Sequence, residues 1–186
     1  MKTAREKILS TASKLFYRHG INSVGVDEIV RRSGVNKMTL YKHFSSKDIL
    51  ATNCLGEIHQ QWNSWFLERV QLKGTAAKNP NERVLVIFDV LEEWFQSPGF
   101  RGCPFINTVA EIGDRNHPAR KAAVTFKQKL LKTIEEALAS LGRSRTDELG
   151  VQLLMLIDGA IVRAVMTDSS RPAKIARKAA AMLLHR

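Results

Sequence analysis

Ser33-Gly34-Val35-Asn36-Lys37-Met38-Thr39-Leu40-Tyr41-Lys42-His43-Phe44 is the stretch on which the reading of this chain turns. Gly34 suits the end of one helix, because glycine enters the left-handed backbone that closes helices without a Cβ clash. Asn36 suits the start of the next, because its side-chain oxygen can accept a free N–H of the first turn. A stop so close to a start predicts a helix-turn-helix. The second helix is expected over Lys37–His43, with Leu40 and Phe44 inward. Lys37, Thr39, Tyr41, Lys42 and His43 then lie on its exposed side, and the second helix of such a pair is the one that enters the DNA major groove.

The surrounding residues supply a small domain for that motif. A first helix is expected from about Thr3 to His19, with Ala4, Ile8, Ala12, Leu15, Phe16 and His19 on one face and Gly20 closing it. A second begins near Gly25, ends at Ser33 and buries Val26, Ile29 and Val30. Asn36 caps the third. Lys37, Lys42, Thr39 and His43 can hydrogen-bond base edges, and the Thr39 methyl can pack on a thymine methyl. Tyr41 and Lys47 suit phosphate oxygens, which fix register without reading sequence. Tyr41 half in the core and Lys42 solvated are the competing readings.

Charge agrees with an anionic partner. The 186 residues carry a net +11, and residues 1–50 hold ten Lys/Arg against four acids, a net +6 in little more than a quarter of the chain. Such a bias points to nucleic acid before a membrane surface. Two cysteines, Cys54 and Cys103, are too few for a disulfide framework. The charged N-terminus does not read as a signal peptide, and the apolar block from Leu149 to Met166 is interrupted by Gln152, Asp158 and Arg163, so no membrane span is expected. A cytoplasmic location follows as an expectation.

Helical spacing recurs to the end of the chain and strand alternation does not. Ser45-Ser46-Lys47-Asp48 predicts the cap of a long helix reaching about Leu72. A loop over Lys73–Asn81 precedes a helix ended by Ser97-Pro98-Gly99. Short helical character follows over Pro104–Ile112, then a helix from Pro118 to Leu141-Gly142. Ser144 with Asp147 is expected to cap a helix ending near Asp168, and Ser170 and Pro172 open a last one to Leu184. The fold class is all-α, about nine helices: a three-helix domain over 1–50, then a larger helical domain over 51–186.

At this point residues 3–50 resemble the DNA-binding domain of tetracycline-repressor (TetR) type regulators. The resemblance rests on Leu15-Phe16 with Gly20, on Val26-Asp27-Glu28-Ile29-Val30, and on Gly34-Val35-Asn36-Lys37. It continues through Leu40-Tyr41-Lys42-His43-Phe44 and Lys47-Asp48-Ile49-Leu50. It implies a homodimer, an all-helical ligand-binding domain, and repression relieved by a small molecule. It also implies phosphate contacts at Tyr41 and Lys47 and a base or phosphate contact at Thr39. One departure stands out: Val24-Gly25 replaces the Ser or Thr that the family usually carries before its second helix, which puts that hydroxyl contact in doubt. Arg101-Gly102-Cys103-Pro104-Phe105-Ile106-Asn107 and Ala110-Glu111…His117-Pro118-Ala119-Arg120 are similar to a subgroup of these regulators.

All three Trp and six of the eight Phe fall between residues 60 and 130. Trp62, Trp65, Phe66, Phe88, Trp94 and Phe105, with Asn107 and Glu111 as orienting groups, are the candidate effector pocket; ordinary core is the alternative for each aromatic, and capping or solvation for the polar groups, His117 included. The helix before Asp168 is apolar almost all round, which calls for burial on more than one side. Leu153, Leu156, Ile157, Ala160, Ile161 and Ala164, with Ile175, Ala179 and Met182 of the last helix, are the expected dimer interface.

Other function classes find little support. The five histidines are scattered, Cys54 and His59 are poorly spaced to share a metal, and no third ligand completes a set, so no catalytic residue, metal or cofactor is assigned. Cys103 after its glycine could be a thiol responsive to oxidants or electrophiles, or a buried inert cysteine. The basic last helix could lie on a membrane, but its apolar face is Ala-rich and weak. The reading is a sequence-specific transcriptional regulator, expected to be a repressor released from a palindromic operator by an effector. Its partners are double-stranded DNA, a second copy of itself and a small molecule of unknown identity.

Overall fold

The structure, a computed structural model, describes residues 2–142 and 145–185. Among the described residues there are nine helices and no strands: α1 (Ala4–His19), α2 (Val26–Ser33), α3 (Lys37–His43), α4 (Lys47–Gly74), α5 (Pro80–Phe95), α6 (Pro104–Glu111), α7 (Pro118–Ser140), α8 (Thr146–Thr167) and α9 (Arg171–Leu184). They form two compact units. One holds the chain up to Trp62 together with Pro104–Phe126; the other holds Asn63–Cys103 and the chain from Lys127 onward.

The helix starts follow from their caps. Thr3 accepts from the Glu6 N–H while Glu6 accepts from the Thr3 N–H, a reciprocal capping box that opens α1. Asn36 accepts from the Thr39 N–H at 2.7 Å and Asn79 from the Glu82 N–H at 3.0 Å. The cap of α4 is Ser46, which accepts from the Ile49 N–H, rather than the expected Ser45 with Asp48. Asn79 and Pro80 belong to the start of α5, so the preceding loop is shorter than its composition suggested. The Ser144 cap expected for α8 lies outside the described residues.

In the first unit Ile8, Ala12, Leu15, Phe16, Val24, Ile29, Leu40, Phe44 and Leu50 are buried, and α1 packs on both α2 and α3. Val26 and Val30 are half-buried and His19 is exposed, because the core takes a narrower stripe of α2 and the last residue of α1 turns to solvent. In the second unit α9 packs on both α5 and α8. Arg177 of α9 pairs with Glu82 and Asp89 of α5, and Lys174 with Glu92. By length and composition alone α8 could cross a membrane. One face of it is buried here through Leu153, Ile157, Ala160, Ile161 and Ala164, and Asp158 is ion-paired with Lys127.

Two glycines close the helices of the first unit in different backbone. Gly34 is left-handed (φ 69°, ψ 24°) with open space around it, whereas Gly20 sits at φ 88°, ψ 157°, a region almost confined to glycine. A Cβ at Gly20 would also come within 2.9 Å of a Glu111 carboxylate oxygen. Gly20→Ala is therefore expected to lose about 2–3 kcal/mol of stability and Gly34→Ala about 1 kcal/mol. Urea unfolding of the two variants beside the parent chain tests the order.

Candidate nucleic-acid interface

α3 is seven residues long, and its exposed surface is set by what it buries. Leu40 and Phe44 are 0% and 2% exposed, which turns Met38, Lys42 and Tyr41 outward and leaves Thr39 half-buried. Arg5 of α1 lies over the Phe44 ring at 5.3 Å and donates to Asn53. The N-cap of α2 is Gly25, with no side-chain hydrogen bond, as its sequence implied.

The basic residues expected to meet DNA differ in their surroundings. The Lys37 ammonium donates to Asp27 at 2.9 Å, and that hydrogen bond and charge raise its pKa above the ordinary 10.5. Lys37 is thus always charged near neutrality, but its partner must release it before it reaches a base or phosphate; both groups are exposed, so the pair holds weakly. Arg32 is paired with Glu28 one turn earlier. Lys42 has no acidic partner among the described residues, and His43 is exposed.

Lys47 does something the sequence did not announce. Its ammonium donates to the carbonyls of Ile21 (2.9 Å) and Val24 (3.3 Å), in the turn between α1 and α2. From the other side Glu111 accepts from the N–H groups of Ile21 (3.0 Å) and Asn22 (2.5 Å). Glu111, a candidate pocket group by sequence, is thus a strut between α6 and the turn that precedes α2. Nearby, Arg120 donates to the carbonyls of Val109 and Ile112 at the end of α6. His117 accepts from the Ala119 N–H and lies 3.3 Å from Asp48 at the start of α4. The His117 cap is the local alternative its place before Pro118 offered, whereas the links of Lys47, Glu111 and Asp48 do not show in spacing along the chain, because their partners are 23 to 90 residues apart.

The candidate pocket residues divide. Trp62, Phe105, Asn107 and Glu111 fall in the first unit, where Phe105 packs on Phe126 and His59 stacks on Phe126 at 4.5 Å. Trp65, Phe66, Phe88 and Trp94 fall in the second, where Trp94 meets Phe100 edge-on at 5.1 Å. Of the candidate interface residues, Leu153, Ile157, Ala160, Ile161 and Ala164 are buried within the chain, Leu156 and Ala179 are half-buried, and Ile175 and Met182 are exposed. An open apolar groove between α8 and α9 is lined by Met155, Leu156, Gly159, Ile175 and Ala179, with Arg163 at its edge. Among the described residues no cluster of His, Cys, Asp or Glu could hold a metal ion.

Comparison with known proteins decides the family. Residues 8–53 match the profile of bacterial regulatory proteins of the tetR family, and residues 80–180 match the tetracyclin repressor-like C-terminal domain. The chain belongs to the TetR family. It is a DNA-binding transcriptional regulator, similar over 98% of its length to the crystal structure of a TetR-family regulator from Streptomyces coelicolor, 94% of which is covered, at 32% identity and a TM-score of 0.86. The HTH-type transcriptional regulator LmrA of Bacillus subtilis is 27% identical over 91% of this chain and 90% of that one. The reduced form of NemR from Escherichia coli shares the fold, with a TM-score of 0.83 over 95% of this chain and 94% of that one at 21% identity. In this TetR-family chain both thiols are buried, Cys54 2% and Cys103 6% exposed, which does not favour a thiol response. Burial pushes the Cys54 pKa up to about 12, so it carries almost no thiolate at neutral pH.

Two outcomes follow. Lys47→Ala is expected to lose about 1–2 kcal/mol of stability, because two hydrogen bonds from a charged donor disappear, whereas Lys42→Ala should stay within about 0.5 kcal/mol of the parent. Urea denaturation separates them. Both cysteines should resist a water-soluble disulfide reagent in the native protein and titrate fully once it is unfolded; fast native reaction at Cys103 would restore the thiol reading.

Proposed function

We propose that this protein is a homodimeric repressor that leaves a palindromic operator when a small molecule binds. Residues 1–50 act as the DNA-binding domain and residues 51–186 as the effector-binding and dimerisation domain. The observation that carries the DNA half is α3, with Leu40 and Phe44 buried and a basic, polar side left outward. Lys37, Thr39, Lys42 and His43 face base edges, Tyr41 bonds phosphate, and Asn36 holds the helix start that presents them. Lys47 supports the docking surface through the α1–α2 turn and reaches phosphate only by exchanging its carbonyl partners.

Dimerisation is assigned to α8 and α9. Met155 and Ile175 are exposed apolar side chains lining the groove, Met182 is a further exposed apolar side chain of α9, and Gly159 and Ala179 allow close approach of a second copy. Leu153, Leu156, Ile157, Ala160, Ile161 and Ala164 back that face from within or line it. A two-fold pair of such chains presents two α3 helices to two half-sites.

Effector recognition is assigned to the aromatic-rich part of residues 51–186, and the link to DNA runs through α6. Glu111 grips the two amides that follow Gly20, so a shift of α6 moves the turn into α2. Coupling of this sort is worth about 1–3 kcal/mol, a change in operator affinity of roughly 5- to 150-fold. The protein acts in the cytoplasm and performs no catalysis.

The test is fluorescence anisotropy with duplex DNA from upstream of its own coding region, against a scrambled duplex, at two salt concentrations. Specific binding by two subunits per duplex, weakened steeply by salt, is the expected result. Lys42→Ala and Tyr41→Ala should weaken it with a shallower salt dependence. Equal weak binding to both duplexes, unchanged in these variants, would remove the α3 assignment.

A further inference from the structure

Met38 is the most exposed large apolar side chain among the described residues, at 79%. Nothing in the fold of the chain accounts for it. α3 turns by about 100° per residue, so the directions of Leu40 and Phe44 define the buried side, and Met38 and Lys42, one turn apart, project opposite to it with Thr39 beside them. Tyr41 and His43 lie on the flanks, and Lys37, in the first turn, lies nearer the buried side with its ammonium held by Asp27. The outermost line of the helix therefore pairs a thioether with the Lys42 ammonium, between Thr39 and Tyr41.

An apolar tip in a positive surface fits an occupant that is anionic overall and apolar at one point. A DNA major groove has that character: phosphates on both walls, and on its floor one apolar group, the C5-methyl of thymine. Methionine suits this contact because it is unbranched, polarizable and free to reach along the groove. We infer that Met38 reads thymine through its methyl group and is a specificity-determining residue of the interface. The inference rests on the reading of α3 as the DNA-facing helix.

The experiment uses the full chain and a duplex selected by it from a random-sequence pool. Each thymine is replaced in turn by deoxyuridine, which removes only the methyl group, and binding of the parent and of Met38→Ala is measured by anisotropy. At one thymine per half-site the replacement should weaken the parent about fourfold, the worth of one apolar carbon removed from water. Met38→Ala should bind the thymine duplex more weakly by a similar factor and be indifferent to deoxyuridine at that position. Its thermal midpoint should match the parent's, since the side chain is exposed and alanine is a good helix former.

Identical deoxyuridine profiles for parent and Met38→Ala overturn the inference, because another group, Thr39 first, then reads the methyl. A parent indifferent to every methyl also overturns it. If no duplex is enriched by selection and Lys42→Ala binds DNA as the parent does, the α3 reading itself fails, an outcome distinct from the other two.

Discussion

A helix of seven residues does not hold in water by itself. α3 exists because Leu40 and Phe44 are removed from solvent beside α1 and α2, with Asn36 closing its first turn. That burial also orients the helix about its own axis. With the inward side spent on two apolar residues, the positions one or two steps away have no choice but to face out. What α3 presents to solvent is thus a consequence of what it buries, and the polar residues of α3 contribute little to holding it there.

The turn between α1 and α2 is the second dependence. Ile21 has its N–H bonded by Glu111 and its carbonyl bonded by Lys47, two side chains of opposite charge from α6 and α4. A short turn carries backbone groups that no helix satisfies, and leaving them unpaired under a half-buried surface is costly. Gly20 makes the arrangement possible, since its backbone lies where other residues are strained and a Cβ would occupy the space of the Glu111 carboxylate. The angle at which α2 enters, and with it the seating of α3, is therefore tied to the position of α6.

The second unit is organised around α9, which packs on α5 through ion pairs and on α8 through small residues. Ala173, Ala176 and Ala180 are buried on α9, so the helices approach closely without large side chains between them. Other large apolar residues of the same two helices, Met155, Met166, Ile175 and Met182, are left outside while Leu153, Ile157, Ile161 and Leu184 are buried. A face of this kind is stable in water only when something covers it, which is the physical ground for the dimer assigned above.

The helices and their order were legible in the chain because their determinants are local: a cap such as Asn36, glycines at 20 and 34, and apolar residues at helical spacing. α3 was legible for the same reason, down to its bounds. What local pattern could not carry was the choice of partner across the fold. Lys47 reads as a phosphate ligand until the carbonyls of Ile21 and Val24 are beside it, and Glu111 as a pocket group until it meets the Ile21 and Asn22 amides. Met38, between two attractive polar neighbours, passes unremarked until its exposure is known. Periodicity places a residue on a face of its own helix, but contacts between elements distant in sequence depend on how those faces meet. The sequence by itself determined the fold class and the bounds of α3; only the tertiary structure decided which charged groups hold the protein together and which remain outside.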